Sequence, residues 1–182
     1  MSRNDLRAIR FHEDVALFRE AVNFTAASTG FAARLIEKDY FCTLVLAHLM
    51  SAAGGQVVFK GGTCLAKVLV DFYRLSEDLD FTIPLPTDAS RAKRSTCAEV
   101  FKAAVGDVAK ELPGLELLQP LRGANNSTQY IGAVGYDSPT TGQTETIQIE
   151  VSLREPLLTP VLQGLARTIL LDPITGAAMV PE

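Results

Sequence analysis

The sequence predicts an α+β domain: a mixed β-sheet flanked by helices, with a helical segment at the N-terminus. Three observations carry this. Apolar residues recur at helical spacing through the first fifty or so positions. A strand, a Gly-Gly turn, a helix and a second strand then follow in close order. The second half alternates apolar and polar residues around turn chemistry, as antiparallel hairpins do. The 182 residues suffice for one domain with a real core. They divide into N-terminal helices (1–55), a central core (56–155) and a C-terminal extension (156–182).

Each element has its own warrant. Phe11, Val15, Phe18, Val22 and Phe24 mark a helix over 11–28, closed by Gly30. Residues 31–52 form a second helix with Leu35, Tyr40, Leu44 and Leu49 inward, stopped by Gly54-Gly55. Gln56–Lys60 is a short strand, and Thr63–Phe72 is a helix entered through Gly61-Gly62. Ser76–Ile83 is a strand ended by Pro84 and Pro86. Ser90 is a natural N-cap for a helix reaching Leu112, with Pro113-Gly114 as its stop. Leu115–Leu121 reads as a strand and Asn125–Ser127 as a loop. Tyr130–Tyr136 and Thr144–Leu153 form a hairpin around "DSPTTGQ". Beyond Pro156 a helix or a further hairpin is expected near "ARTILLDPITGAAMV".

Composition narrows the function. Apolar residues make up 47%, against disorder, and the net charge of −4 supplies no global field for non-specific nucleic-acid binding. Three cysteines at irregular spacing, Cys42, Cys64 and Cys97, suggest neither a zinc site nor a disulfide framework. No apolar run is long enough to span a membrane, and the charged N-terminus is unlike a signal peptide. A cytoplasmic protein is expected.

The chemistry concentrates in "VVFKGGTCLAKVLVDFYRLSEDLDF", Val57 to Phe81. Alternation along "SEDLDFTI" sends Asp78 and Asp80 to one face and Leu79, Phe81 and Ile83 to the other. Two neighbouring carboxylates repel unless a cation sits between them, and Mg²⁺ suits oxygen ligands while leaving places for phosphate oxygens. Gly61-Gly62 between strand and helix lets backbone N–H groups approach an anion, with Thr63 and Lys67 as further donors. The spacing is not that of a Walker A loop. In "TETIQIEVSL", Glu150 falls on the polar face of a strand and is the candidate third carboxylate. Glu37, Lys38 and Asp39 read as ion-pairing residues near the core helix. His12 and His48 read as ordinary helix residues. Cys64 lacks a nearby His to activate it. Arg91–Arg94 reads first as a solvated helix face, second as a contact for RNA phosphates.

The combination "KGGTCLAK…RLSEDLDF", with "IEKDYFCTLVL" before it and "IQIEVSLRE" after it, resembles the AbiEii/AbiGii toxin family of nucleotidyltransferases, within the DNA polymerase beta-like superfamily. The resemblance implies a nucleotidyltransferase-like core that moves a nucleoside monophosphate from an NTP to an acceptor and releases pyrophosphate. A tRNA or other RNA 3′ end is the implied acceptor, with a protein hydroxyl as alternative. The setting implied is a toxin–antitoxin or phage-defence pair with a cognate antitoxin. By position, Gly61, Gly62, Thr63, Lys67 and Ser76 would hold phosphates. Asp78, Asp80 and Glu150 would hold two Mg²⁺ ions, and Glu150 would help activate the acceptor hydroxyl. Family members usually continue into a C-terminal helical region, and this chain stops at Glu182, about where that would begin. A nucleotide-binding or partner-binding remnant without turnover is the rival expectation.

Overall fold

The computed structural model describes residues 10–70, 72, 74–153 and 156–179. Residues 1–9, Asp71 within the expected third helix, and Arg154-Glu155 at the end of "IQIEVSLRE" lie outside the described residues.

The first helix, α1 (Val15–Thr29), starts where Asp14 accepts a hydrogen bond from the Leu17 N–H at 3.0 Å. It ends at Gly30 with φ 78°, a left-handed cap that suits glycine. The second, α2 (Ala33–Ala53), is closed by Gly54 in the same way. Residues 36–46 of α2 are buried on every side, because this helix runs through the middle of the core. Tyr40 and Phe41 pack on Phe18 of α1, and the Phe41 ring stacks on Tyr136 with centroids 3.8 Å apart.

β1 (Val58–Lys60) leads directly into α3 (Gly61–Cys64), a single turn. The expected helix does not continue as α: Leu65–Leu69 is π-helical, with the Val70 N–H bonded to the Leu65 carbonyl at 2.9 Å. β2 (Leu79–Thr82) follows a loop. Ser90 caps α4 (Arg91–Gly106) by accepting from the Lys93 N–H, but the expected single helix breaks at Asp107 before the short α5 (Val108–Glu111). Three long strands complete the domain: β3 (Leu115–Ala124), β4 (Gln129–Asp137) and β5 (Thr144–Ser152).

The sheet order is β1-β2-β5-β4-β3. Only the β2–β5 pair is parallel, so the sheet is mixed, as expected of this α+β chain. Leu79, Phe81, Ile147, Ile149 and Val151 fill the covered face, and Phe81 meets Phe101 of α4. On the opposite face Asp80 and Glu150 are half-buried and Thr146 and Gln148 exposed. Beyond Pro156 no helix forms among the described residues. The chain makes a narrow antiparallel bridge between Leu171 and Ala178, and the Leu171 N–H bonds Thr25 of α1. Among the described residues no helix is long and apolar enough to cross a membrane.

Candidate active site

Strand register builds the site. Asp80 stands opposite Lys60 on β1 and opposite Glu150 on β5. Directly paired residues on neighbouring strands share a face about 5 Å apart, so Lys60, Asp80 and Glu150 form one row on the open side of the sheet. Asp78 lies one pleat earlier, exposed, just before β2 begins. Burial raises the pKa of the Asp80 carboxyl above the ordinary range. The negative charges of Glu150 and Asp78 add to the rise, and Lys60 opposes it. The acids are thus gathered against their mutual repulsion, with one lysine in partial compensation.

Gly61 is required for two reasons. Its φ of 79° is left-handed, and a Cβ there would run into the Asp80 carboxylate. The turn therefore presses its backbone against the first acid. Gly62 is crowded from the other side: a Cβ would lie 2.6 Å from Arg74 Nη2 and 3.3 Å from Ser76 Oγ. Arg74 is exposed and makes no hydrogen bond or ion pair with the described residues. The turn thus has a free guanidinium and a hydroxyl directly over it.

Two expected phosphate ligands are placed elsewhere. Thr63 is buried, and its hydroxyl donates to the Asp78 carbonyl at 2.5 Å. It ties the turn to the lip of β2 rather than facing a ligand. Lys67 is a correction of greater weight. It is fully buried, with its Nζ 2.5 Å from Asp39 Oδ1 and bonded also to the Asp39 carbonyl, Thr43 Oγ1 and the Arg167 carbonyl. A cation with these partners and no exposure is not available to a nucleotide. The sequence placed Lys67 one α-turn beyond the glycines; the π-helical path and the carboxylate on α2 direct it into the core.

Lys60 and Arg74 are the cations that sequence reasoning passed over. Lys60 could have been found by pairing "VFK" with "LDF" as antiparallel neighbours. Arg74 opens the stretch "RLSEDLDF" and was within reach of the sequence, but nothing there set it over the glycines. The stretch between Arg74 and β2 is held by ion pairs: Glu77 accepts from Lys38 at 2.8 Å and from Arg34 at 3.1 Å, and Arg34 also reaches Glu145 at 3.0 Å. The Lys38 hydrogen bond, foremost, keeps the Glu77 carboxyl below its ordinary pKa. The ion-pairing expected of Lys38 and Asp39 is therefore present. Burial pushes the Cys64 thiol up, away from the thiolate form that a nucleophile needs.

The donor set suits a hard cation in one particular way. No three His, Cys, Asp or Glu side chains among the described residues are gathered to enclose an ion alone. The row offers two adjacent carboxylates, and Mg²⁺ is commonly held by one or two carboxylates plus the phosphates of its substrate. The register that sets the Asp80 and Glu150 carboxylates side by side on one face of the sheet is the observation that favours a cation here.

A mixed sheet bearing paired carboxylates beside a Gly-Gly turn is the α+β architecture of a nucleotidyltransferase-like domain. The chain belongs to the AbiEii family: residues 44–181 match the family described as nucleotidyl transferase AbiEii toxin, type IV toxin–antitoxin system. Among solved structures it is similar to JHP933 from Helicobacter pylori, at 20% identity and a TM-score of 0.45, over 71% of this chain and 51% of that one. A candidate nucleotidyltransferase from H. pylori matches at 21% identity and a TM-score of 0.42, over 67% and 49%. The chain thus spans about half the length of these structures. No curated protein matches it.

Proposed function

We propose that this chain transfers a nucleoside monophosphate from an NTP to a hydroxyl of an RNA acceptor such as a tRNA 3′ end, as the toxin of a toxin–antitoxin or phage-defence pair. The observation that carries the reading is the row Lys60–Asp80–Glu150 set against the Gly61-Gly62 turn, with Arg74 and Ser76 above it. The Gly61-Gly62 backbone, Ser76, Arg74 and Lys60 hold the triphosphate and balance its charge. Asp80 and Glu150, with Asp78 at the lip, would hold Mg²⁺, which when bound lowers the pKa of the acceptor hydroxyl and stabilises charge on the phosphates. The acceptor oxygen bonds to the α-phosphorus, the bond from that phosphorus to the β-bridging oxygen breaks, and pyrophosphate leaves. The hydroxyl proton passes to a carboxylate of the row, Glu150 by its place on the acceptor side.

The test is to incubate the chain with total RNA, Mg²⁺ and each α-labelled NTP separately, beside the Asp78→Ala/Asp80→Ala double variant. Labelled RNA with wild type and none with the variant is expected. Label on protein instead of RNA would move the acceptor to a protein hydroxyl. Equal labelling by the variant would remove the carboxylates from the reaction. NTP binding with no label on anything would mean binding without turnover.

A further inference from the structure

The row that holds the acids does not end at Glu150. Glu150 pairs with Ile131 on β4, and Ile131 pairs with Arg122 on β3. Read across the sheet, the open face runs Lys60, Asp80, Glu150, Ile131, Arg122. A cation on each edge strand brackets the two carboxylates. Lys60 adjoins the Gly-Gly turn and so serves the triphosphate. Arg122 stands on the far side, about 10 Å from Glu150, two strand spacings.

The placing of Arg122 depends on two irregularities in β3. From Leu117 to Arg122 the strand advances five residues while β4 advances three, Val134 to Ile131, with register shifts on either side of Gln119. A regular ladder continuing from Leu117 would set Pro120 opposite Ile131 and carry Arg122 past the row. Bulges on edge strands commonly re-aim a side chain beside an active site. Arg122 is exposed and makes no hydrogen bond or ion pair with the described residues. No contact among the described residues explains the arginine.

We infer that the acceptor lies across the open face of β5, β4 and β3, with Arg122 holding one of its phosphates. The inference rests on the nucleotidyl-transfer reading above and deepens it. In-line transfer puts the attacking hydroxyl on the side of the carboxylates away from the pyrophosphate. The turn, Lys60 and Arg74 occupy one side, so the acceptor takes the other. A guanidinium two strands from the reacting centre suits a phosphodiester close to the reacting hydroxyl, as a nucleic-acid strand provides and a protein side chain does not.

The experiment measures binding of a short 5′-labelled single-stranded RNA with a free 3′-hydroxyl to the full chain, by anisotropy, between about 50 and 200 mM salt. Calorimetry with Mg²⁺ and NTP runs in parallel. Arg122→Ala is expected to weaken RNA binding about three- to tenfold and to reduce the log–log salt slope by about 0.7, one single-strand phosphate. Arg122→Lys should keep the slope. NTP affinity should not change. Lys110→Ala on α5 removes the same charge away from the row and should leave the slope near wild type. RNA affinity and slope that respond no more to Arg122→Ala than to Lys110→Ala would overturn the assignment. So would a wild type that binds NTP but no RNA, and in that case the nucleotide reading stands. A wild type that binds neither overturns both.

Discussion

Lys60 and Lys67 flank the same Gly-Gly-Thr turn and meet opposite fates. Lys60 sits half-buried on the open row beside Asp80, where its charge offsets only part of the carboxylate repulsion. Lys67 is sealed in the core, and its partner Asp39 is also fully occupied: the second carboxylate oxygen accepts from Thr168 Oγ1 at 2.8 Å and the Ile169 N–H at 3.0 Å. One lysine–aspartate pair is finished within the fold. The other waits on something outside it. Buried charge is tolerated when every polar atom is answered, and such a set joins elements: here α2, the π-helical turn and the C-terminal strap. An unanswered set next to a left-handed glycine is where a ligand would find its partners.

The sharpest way to break this comparison is to cut the finished pair. Lys67→Met strands the Asp39 charge in the core and should cost about 3–5 kcal/mol, lowering Tm by roughly 10 °C in a chain of this size. Adding Asp39→Asn keeps an acceptor for the Ile169 N–H while removing the charge, and should recover more than half of the loss. Thermal melts followed by circular dichroism would show it. If Lys67→Met melts like wild type yet fails to bind NTP, Lys67 belongs to the site and the contrast is false.

The sequence made legible those features that depend on local periodicity. The caps at Gly30, Ser90 and Gly54, the strand alternation of "DLDF" and "IQIEV", and the Gly-Gly turn all follow from neighbours within a few residues. Glu150 could be put on the right face from alternation alone, but its pairing with Asp80 is a matter of parallel register, set by long-range packing. The fate of Lys67 was hidden for a like reason. Its partners lie on α2 and on the strap near Arg167, and the π-helical turn that aims it has no sequence signature. Arg122 was hidden by the bulges around Gln119, which move it into register with Ile131.

A second test sharpens the open side. Lys60→Ala and Arg74→Ala remove cations that no hydrogen bond or ion pair among the described residues requires, so each should leave Tm within about 2 °C of wild type. Each should raise the KM for NTP about tenfold, the scale of one lost charge-assisted phosphate contact. Arg74→Lys should recover part of the loss, since a point charge replaces the fork. Initial rates across NTP concentration would separate KM from kcat. A large fall in Tm with unchanged KM would return both residues to the class of Lys67.

The smallest expected effect is on stability, and its sign decides the matter. Asp80 holds its proton more tightly in the folded chain than in the unfolded one, because burial and the charges of Glu150 and Asp78 oppose its ionisation. Such a group adds nothing against the fold below its unfolded pKa, about 3.9. Its cost appears as pH rises through that value and is complete above the raised folded pKa, because there the folded state must carry a charge it disfavours. Asp80→Asn should therefore raise Tm at neutral pH, by about 1–3 °C, and the difference should vanish near the unfolded pKa. Glu77, with its lowered pKa, works the opposite way and loses its contribution as pH falls, so the wild-type profile alone would blur the two. The difference between variant and wild type isolates Asp80. Mg²⁺ should stabilise the wild type and not the variant. If Asp80→Asn instead lowers Tm at neutral pH, Asp80 is a satisfied structural acid like Asp39, and the open row is no more a binding site than the buried pair.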